Sequence, residues 1–179
     1  MTWILSVTIF LPLLGALVCM ALPKEEAHLQ RGVGLAFTLL TFLVSLGMLF
    51  GFDAKAAMSH EVNIAWSTPI GIHYHLGVDG ISLWLGLLST FLMPIIILST
   101  YTAITDRVRE FIVCALVLET GMLGTFFALD LFLFYVFFEV SLIPMYFIVG
   151  IWGGERRLYA AIKFVIYTMV GSLLMLIAI

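Results

Sequence analysis

Charged residues are scarce in this 179-residue sequence, where Asp, Glu, Lys and Arg together make up 11% of the chain. Soluble domains carry about a quarter charged residues. Hydrophobic residues make up 63%, and a water-soluble fold of this size has no means of burying so much apolar surface. The composition therefore predicts an integral membrane protein, with the lipid bilayer as its surroundings and no nucleic-acid partner.

Cysteine is nearly absent, and the two that occur, Cys19 and Cys114, fall inside apolar runs. They are typical of small core residues and do not indicate a disulfide or a metal pair. His60, His73 and His75 fall in the polar stretch between the second and third apolar runs. Solvated histidines are favoured there over a surface metal site, so we expect no metal ion.

Six apolar runs are each long enough for a transmembrane helix, which needs about 20 residues. The first lacks a basic start and a small-residue cleavage site, which favours a retained helix over a signal peptide. We interpret residues 1–179 as one transmembrane domain whose sequence stops early, because Ile179 ends an apolar run without a polar flank. The predicted helices lie near 2–22, 32–52, 81–103, 111–129, 131–151 and 159–179.

The one long loop, residues 53–80, carries a hairpin pattern. Apolar side chains alternate at Val62, Ile64 and Trp66, and again at Ile72, Tyr74 and Leu76, with Ser67-Thr68-Pro69 between them. Alternation with period two around a turn sequence predicts two antiparallel strands. We expect this small β-hairpin to lie on the membrane surface.

Basic residues are concentrated in the loops after the first, third and fifth helices, and the opposite side carries only Lys55. The positive-inside rule places the basic loops in the cytoplasm and the N-terminus outside. The basic loop residues are Lys24, Arg31, Arg107, Arg109, Arg156 and Arg157.

Two carboxylates lie inside the predicted helices. Glu119 comes about ten residues before the turn at Leu129-Asp130, and Glu139 about nine after it. At 1.5 Å per residue each lies about 15 Å deep, near the centre of a hydrocarbon core about 30 Å thick. Ionisable groups at that depth cost roughly 2.5–3.5 kcal/mol on insertion scales and usually mark function. A proton relay is the functional interpretation, and a protonated Glu that only bonds a neighbouring helix is the structural one.

Three further residues bear on this site. Pro144 leaves the carbonyl of Val140 without its usual N–H partner, so the helix is expected to bend or loosen beside Glu139. Lys163 lies one turn into the sixth helix and either extends to the interface or takes part in proton entry. Asp130 is expected to cap the fifth helix.

The fifth run contains a recognisable motif, F-E-x-x-L-I-P-M at Phe138 to Met145, followed by G-I-W-G-G at Gly150 to Gly154. Together with HLGVDGISLWLGLLST, which begins at His75, it resembles the subunit M family of bacterial respiratory complex I, the proton-pumping NADH:quinone oxidoreductase. The L-I-P-M residues favour this family over the sister subunits L and N and the Mrp cation/proton antiporters, which share the glutamate.

The resemblance implies an antiporter-like fold of about fourteen helices, of which this chain would be the N-terminal part. It implies that Glu139 is the relay glutamate on helix five and that its usual partner is a lysine on helix seven. NADH, FMN, Fe–S clusters and quinone are then expected in partner subunits of the membrane and redox arms, with none in this chain. A bacterial inner membrane follows as the location. An Mrp-type antiporter subunit and a non-pumping scaffold remain alternatives.

Overall fold

The structure is a computed structural model and describes residues 3–24, 26–52, 58–67 and 71–178. Six α-helices and one pair of β-strands make up the described chain. The elements are α1 (Trp3–Ala21), α2 (Ala27–Leu46), β1 (Ser59–Ser67), β2 (Ile72–Val78), α3 (Gly80–Ala103), α4 (Val108–Phe127), α5 (Leu131–Trp152) and α6 (Arg157–Ala178). A short 3₁₀ turn, Gly47–Leu49, extends α2.

All six helices are long and apolar enough to cross a membrane, and the predicted six-helix membrane architecture is confirmed. The largest difference in bounds is at α2, which begins at Ala27 and not near residue 32. The extra turn carries Gln30 and Arg31, which are buried. Gln30 Nε2 donates to the Pro23 carbonyl at 2.6 Å and Arg31 Nη2 to the Ile104 carbonyl at 2.6 Å. Hydropathy alone missed this turn because it contains polar residues, whose side chains are buried and bond backbone carbonyls.

The β-hairpin prediction is also confirmed. Strands β1 and β2 pair antiparallel, with Val62 opposite Leu76 and Ile64 opposite Tyr74. The alternation therefore identified the strands, and the structure adds their register. Thr68 and Pro69 of the predicted turn, and Lys55 of the orientation argument, lie outside the described residues.

Helices α1 to α4 form a bundle, α5 packs against α4, and α6 packs against α5. Glycine allows α4 and α5 to approach closely. A Cβ added at Gly124 would lie 2.2 Å from the Phe137 ring, and one at Gly121 would lie 2.9 Å from the Ser141 Cβ. These contacts identify the side of α4 that faces α5 and the side of α5 that faces α4.

The core of the bundle consists of two separate apolar clusters. The hairpin-side cluster lies next to β2, and the opposite cluster lies towards the other helix ends. Members of the hairpin-side cluster include Leu5, Ile9, Met48, Leu76, Leu83, Leu87, Leu123 and Phe127. Members of the opposite cluster are Ala16, Cys19, Met93, Ile97, Val108, Ile112, Ala115 and Leu116.

Candidate proton-relay site

Asp130 begins the helix that carries the candidate site. Its Oδ1 accepts from the backbone N–H of Phe132 at 2.9 Å and of Leu133 at 3.0 Å, and its Oδ2 accepts from the His73 N–H at 3.2 Å. Burial opposes ionisation here, but the three backbone donors outweigh it and hold the pKa of Asp130 below its usual value. One carboxylate thus fixes the start of α5 and joins it to strand β2.

Glu139 lies two turns further along α5, on the side that faces α6. It is half-buried, and its carboxylate forms a short hydrogen bond with the Ser172 hydroxyl of α6. Ser172 Oγ also lies 3.1 Å from the Met169 carbonyl of its own helix. The Tyr135 hydroxyl, one turn before Glu139, lies close to both groups. The carboxyl therefore lies beside two hydroxyls and has no cation within salt-bridge distance among the described residues.

A cleft of about 360 Å³ opens between α5 and α6 beside this carboxyl. Glu139, Val140 and Tyr146 of α5 line it together with Met169 of α6. Helix α5 continues through the buried Pro144, which has no N–H to offer the Val140 carbonyl. An acceptor without its usual helical partner therefore lies on the residue next to the carboxyl, along the same cleft.

Glu119 is fully buried in α4, and neither of its carboxylate oxygens has a hydrogen-bond partner among the described residues. At about 100° per residue it lies roughly 200° from Gly121 and 140° from Gly124 around α4, so it points away from α5. Glu139 lies two residues from both Phe137 and Ser141, so it points away from α4 by the same arithmetic. The Gly121–Ser141 and Gly124–Phe137 contacts place Glu119 about one helical turn, roughly 5 Å, farther from the Asp130 turn than Glu139. The structure does not bring the two carboxyls together.

Lys163 is exposed on α6, with its Nζ 5.7 Å from the centre of the Tyr159 ring. It lies nine residues before Ser172, about 14 Å along the helix. Both roles considered for Lys163 stay predictions.

The hairpin histidines bond within the protein. His73 Nδ1 lies 2.9 Å from Asn63 Oδ1, and His75 Nε2 lies 2.7 Å from Glu61 Oε1. His60 Nε2 lies 3.1 Å from the Met48 carbonyl. Within the described ranges no group of three or more His, Cys, Asp or Glu residues could hold a metal ion.

Sequence reasoning missed Ser172 and Tyr135 as partners of Glu139. Tyr135 lies four residues before Glu139, a spacing that places two side chains on one helix face. Ser172 had no such signal, because a single serine in an apolar helix is ordinary and its contact depends on how α6 packs on α5.

Known proteins match this chain in sequence and in fold. A family model described as NADH:quinone oxidoreductase/Mrp antiporter, transmembrane region, matches residues 128–179. NADH-quinone oxidoreductase subunit M of Rhodobacter capsulatus is 49% identical over 98% of the chain, and NADH-ubiquinone oxidoreductase chain 4 of Arabidopsis thaliana is 42% identical over 98%. A chain in the structure of respiratory complex I from Thermus thermophilus with bound NADH superposes over 97% of this chain, with a TM-score of 0.82 and 32% identity.

The chain spans about a third of the length of each relative: 35% of the Rhodobacter subunit, 36% of the Arabidopsis chain and 34% of the Thermus chain. The similarity therefore concerns one portion of a longer membrane protein. The family-model match covers α5 and α6 entirely, and so includes Glu139, Pro144, Lys163 and Ser172.

Proposed function

We propose that this multi-pass membrane chain acts as a proton-translocating membrane-arm subunit of an NADH-quinone oxidoreductase. The proposal rests on its homology, along nearly its whole length, to subunit M and chain 4 of such enzymes. Glu139 is the proton-binding group of this proposal. The observation that carries it is the hydroxyl pair around a half-buried carboxyl at the α5–α6 interface.

Ser172 suits a carboxyl that both gains and loses a proton. When Glu139 is ionised, the Ser172 hydroxyl donates to it, as the short contact allows. When Glu139 is protonated, its own O–H donates to Ser172 Oγ, and the serine proton turns to the Met169 carbonyl 3.1 Å away. A hydroxyl can donate one bond and accept others, so the bond between Ser172 and Glu139 is kept in both states.

The surroundings of Glu139 also suit proton delivery. The cleft beside it holds the unpaired Val140 carbonyl, which could orient a water molecule against the carboxyl. Low-dielectric surroundings make the carboxyl responsive to a nearby cation. The resemblance assigns that cation to a lysine on a later helix, and movement of charge there would load and unload Glu139.

The redox chemistry belongs to other subunits in this proposal. NADH, FMN, Fe–S clusters and quinone would be bound by partner subunits, and this chain would contact other membrane-arm subunits and lipid. The location would be the bacterial inner membrane with the N-terminus outside. On the proposed cytoplasmic side, two of the basic residues contact backbone carbonyls at helix ends. Arg31 bonds the Ile104 carbonyl, and Arg109 Nη1 lies 3.4 Å from the Met20 carbonyl.

The test replaces Glu139 by Gln in the full-length subunit within its native complex. Gln keeps the shape and the bond with Ser172 but carries no exchangeable acid proton. We expect normal assembly on a native gel, with quinone-linked NADH oxidation and vesicle acidification both reduced at least tenfold. Wild-type values of both activities in an assembled complex would refute the relay role and favour the scaffold alternative.

An Mrp-type antiporter is the second candidate, because the description of the matched family model includes both protein classes. The subunit M and chain 4 relatives favour the oxidoreductase. Transport measurements on vesicles containing the full-length protein distinguish the two. Acidification driven by NADH without a sodium requirement supports the oxidoreductase. Sodium-dependent proton exchange without NADH supports the antiporter.

A further inference from the structure

A polar layer separates the two apolar clusters of the α1–α4 bundle, and Glu119 is its one carboxyl among the described residues. On α4, Leu123 belongs to the hairpin-side cluster and Leu116 to the opposite cluster. Glu119 lies between them on the same helix face, since the three are spaced by three and four residues. The polar side chain is therefore built into the centre of a four-helix core.

Helix α2 supplies the layer's second element. A Cβ added at Gly34 would lie 2.7 Å from Ile112 Cγ2, so these two residues are in contact. Helices α2 and α4 run in the same direction, because both are antiparallel to α3. Seven residues further, nearly two full turns, the same faces carry Thr41 and Glu119. Thr41 is fully buried and lies at the depth of the carboxyl.

Helix α3 supplies the third element. Arg31 Nη2 bonds the Ile104 carbonyl, and the Ser45 hydroxyl lies 2.8 Å from the Thr90 hydroxyl, which fixes α2 and α3 as antiparallel. One turn beyond Thr90 is the buried Pro94, at the depth of Thr41. Pro94 has no N–H, so the Thr90 carbonyl lacks its usual helical partner.

Helix α1 repeats this arrangement. Pro12 is buried between Ile9 of the hairpin-side cluster and Ala16 of the opposite cluster. It lies four residues after the fully buried Thr8, whose carbonyl therefore also lacks its usual N–H partner. The same Thr-x-x-x-Pro spacing thus occurs on two of the helices that surround Glu119.

Around Glu119, acceptors outnumber donors. The hydroxyls of Thr8 and Thr41 each donate to a carbonyl of their own helix at 2.8 Å, and Thr90 does so at 3.1 Å. Their remaining capacity is as acceptors, like that of the two unpaired carbonyls. An ionised carboxylate would add two more acceptors with nothing to bond, and an unpaired buried charge is very costly.

Among the described residues of α1 to α4, no cation lies at the depth of Glu119 to compensate for such a charge. The described residues of α1 and α3 include no Asp, Glu, Lys, Arg or His, and their titratable groups on the bundle are Cys19 and Tyr101. On α2 the titratable groups are His28 and Arg31. Arg31 lies ten residues and about 15 Å before Thr41, where it bonds the Ile104 carbonyl. On α4 the other titratable groups are Cys114 and the Arg109–Glu110 pair, which lies ten and nine residues before Glu119. Glu139 lies on the far side of α5. The geometry therefore favours a neutral acid.

We propose that Glu119 is a second proton-binding site, separate from Glu139, which holds a proton as a neutral carboxylic acid at neutral pH. The Thr41 hydroxyl and the Thr8 and Thr90 carbonyls lie near its depth as acceptors, although neither carboxyl oxygen is hydrogen-bonded to a described residue in this structure. The site is enclosed by α1 to α4 and does not depend on the relay proposed for Glu139.

A hydrophobic carbodiimide tests this proposal, because it reacts with protonated carboxyls in apolar surroundings. The full-length subunit is labelled in its native membrane complex at neutral pH, and peptide fragmentation assigns the modified residue. Glu110 is the matched reference, since it lies on the same helix beside Arg109, exposed at 41% of its side chain. Glutamates in water are protonated only about once in several hundred at pH 7, so we expect Glu119 to react on the order of 100 times faster than Glu110.

Two variants and one salt comparison complete the test. The rate of carbodiimide labelling at Glu119 should be unchanged in E139Q. It should also be unchanged when sodium replaces potassium at equal ionic strength. Protection by sodium alone would overturn the proposal in favour of a metal cation. Infrared spectra provide a second measurement that needs no reagent access. Wild type minus E119Q should retain a protonated-carboxyl band, and a carboxylate band in its place would also overturn the proposal.

Discussion

Removing the Asp130 carboxylate should release both the start of α5 and its attachment to the hairpin. In D130A three hydrogen bonds are lost, two to the N–H groups of Phe132 and Leu133 and one to the N–H of His73. Loss of an N-cap costs about 1 kcal/mol, and the bond to β2 adds about 1 kcal/mol at this half-buried position. We expect a local destabilisation of about 2 kcal/mol.

Asp130→Asn separates the two contributions. The Asn carbonyl oxygen can still accept from Phe132 and Leu133, but its NH₂ group would face the N–H of His73. Hydrogen exchange, read by mass spectrometry on the full-length subunit in its complex, should show faster exchange at His73 alone in D130N and at all three amides in D130A. Equal protection of His73 in wild type and D130N would refute the assigned geometry.

The same carboxylate predicts a pH dependence. The pKa of Asp130 is lowered in the folded state, so the unfolded state takes up the proton first as the pH falls. The stabilisation is therefore complete above the ordinary Asp range, near pH 4, and is lost as the pH falls through the lowered value. Opening of the α5 start should increase in acid in wild type and change little in D130N.

Two further substitutions address packing and the relay. G124A places a methyl group against the Phe137 ring and should lower the stability of the protein by about 1–3 kcal/mol through overpacking. G32A is the control, because Gly32 is exposed with nothing within 4 Å of an added Cβ, and it should be neutral or stabilising. Equal melting temperatures of the two assembled variants would contradict the close α4–α5 contact. S172A removes the hydroxyl that bonds Glu139 in both of its protonation states. A hydrogen bond to a charged group is worth about 1.5–3 kcal/mol. We therefore expect NADH oxidation and vesicle acidification to slow together by roughly 10- to 100-fold, without loss of assembly. Unchanged rates in S172A would remove Ser172 from the relay.

The elements that follow from local pattern could be predicted from the sequence. Apolar length identified six helices, and alternation identified the two strands of the hairpin. Counting residues on either side of one turn predicts a similar depth for the two glutamates. These properties need no knowledge of which helix packs on which.

The facing directions of the glutamates could not be derived from that count, because depth and rotation about a helix axis are independent. Rotation is fixed by tertiary contacts, here Gly121 against Ser141 and Gly124 against Phe137. The contact between Ser172 and Glu139 depends on the packing of α6 in the same way. One available signal was overlooked: the Thr-x-x-x-Pro spacing occurs in both α1 and α3 and marks unpaired carbonyls from sequence alone.

The close contact of α4 with α5 also determines how strongly the two carboxyls can influence each other. Helix axes in contact are 8–10 Å apart, and with both side chains pointing outward the carboxyls are separated by roughly 20 Å. At an effective dielectric constant of about 20, unit charges at that separation interact by about 1 kcal/mol. A change of charge at one carboxyl therefore changes the proton occupancy of the other by no more than about fivefold. The glycine contacts fix which sides of α4 and α5 face each other, and because both carboxyls lie on the opposite sides, their proton occupancies are nearly independent.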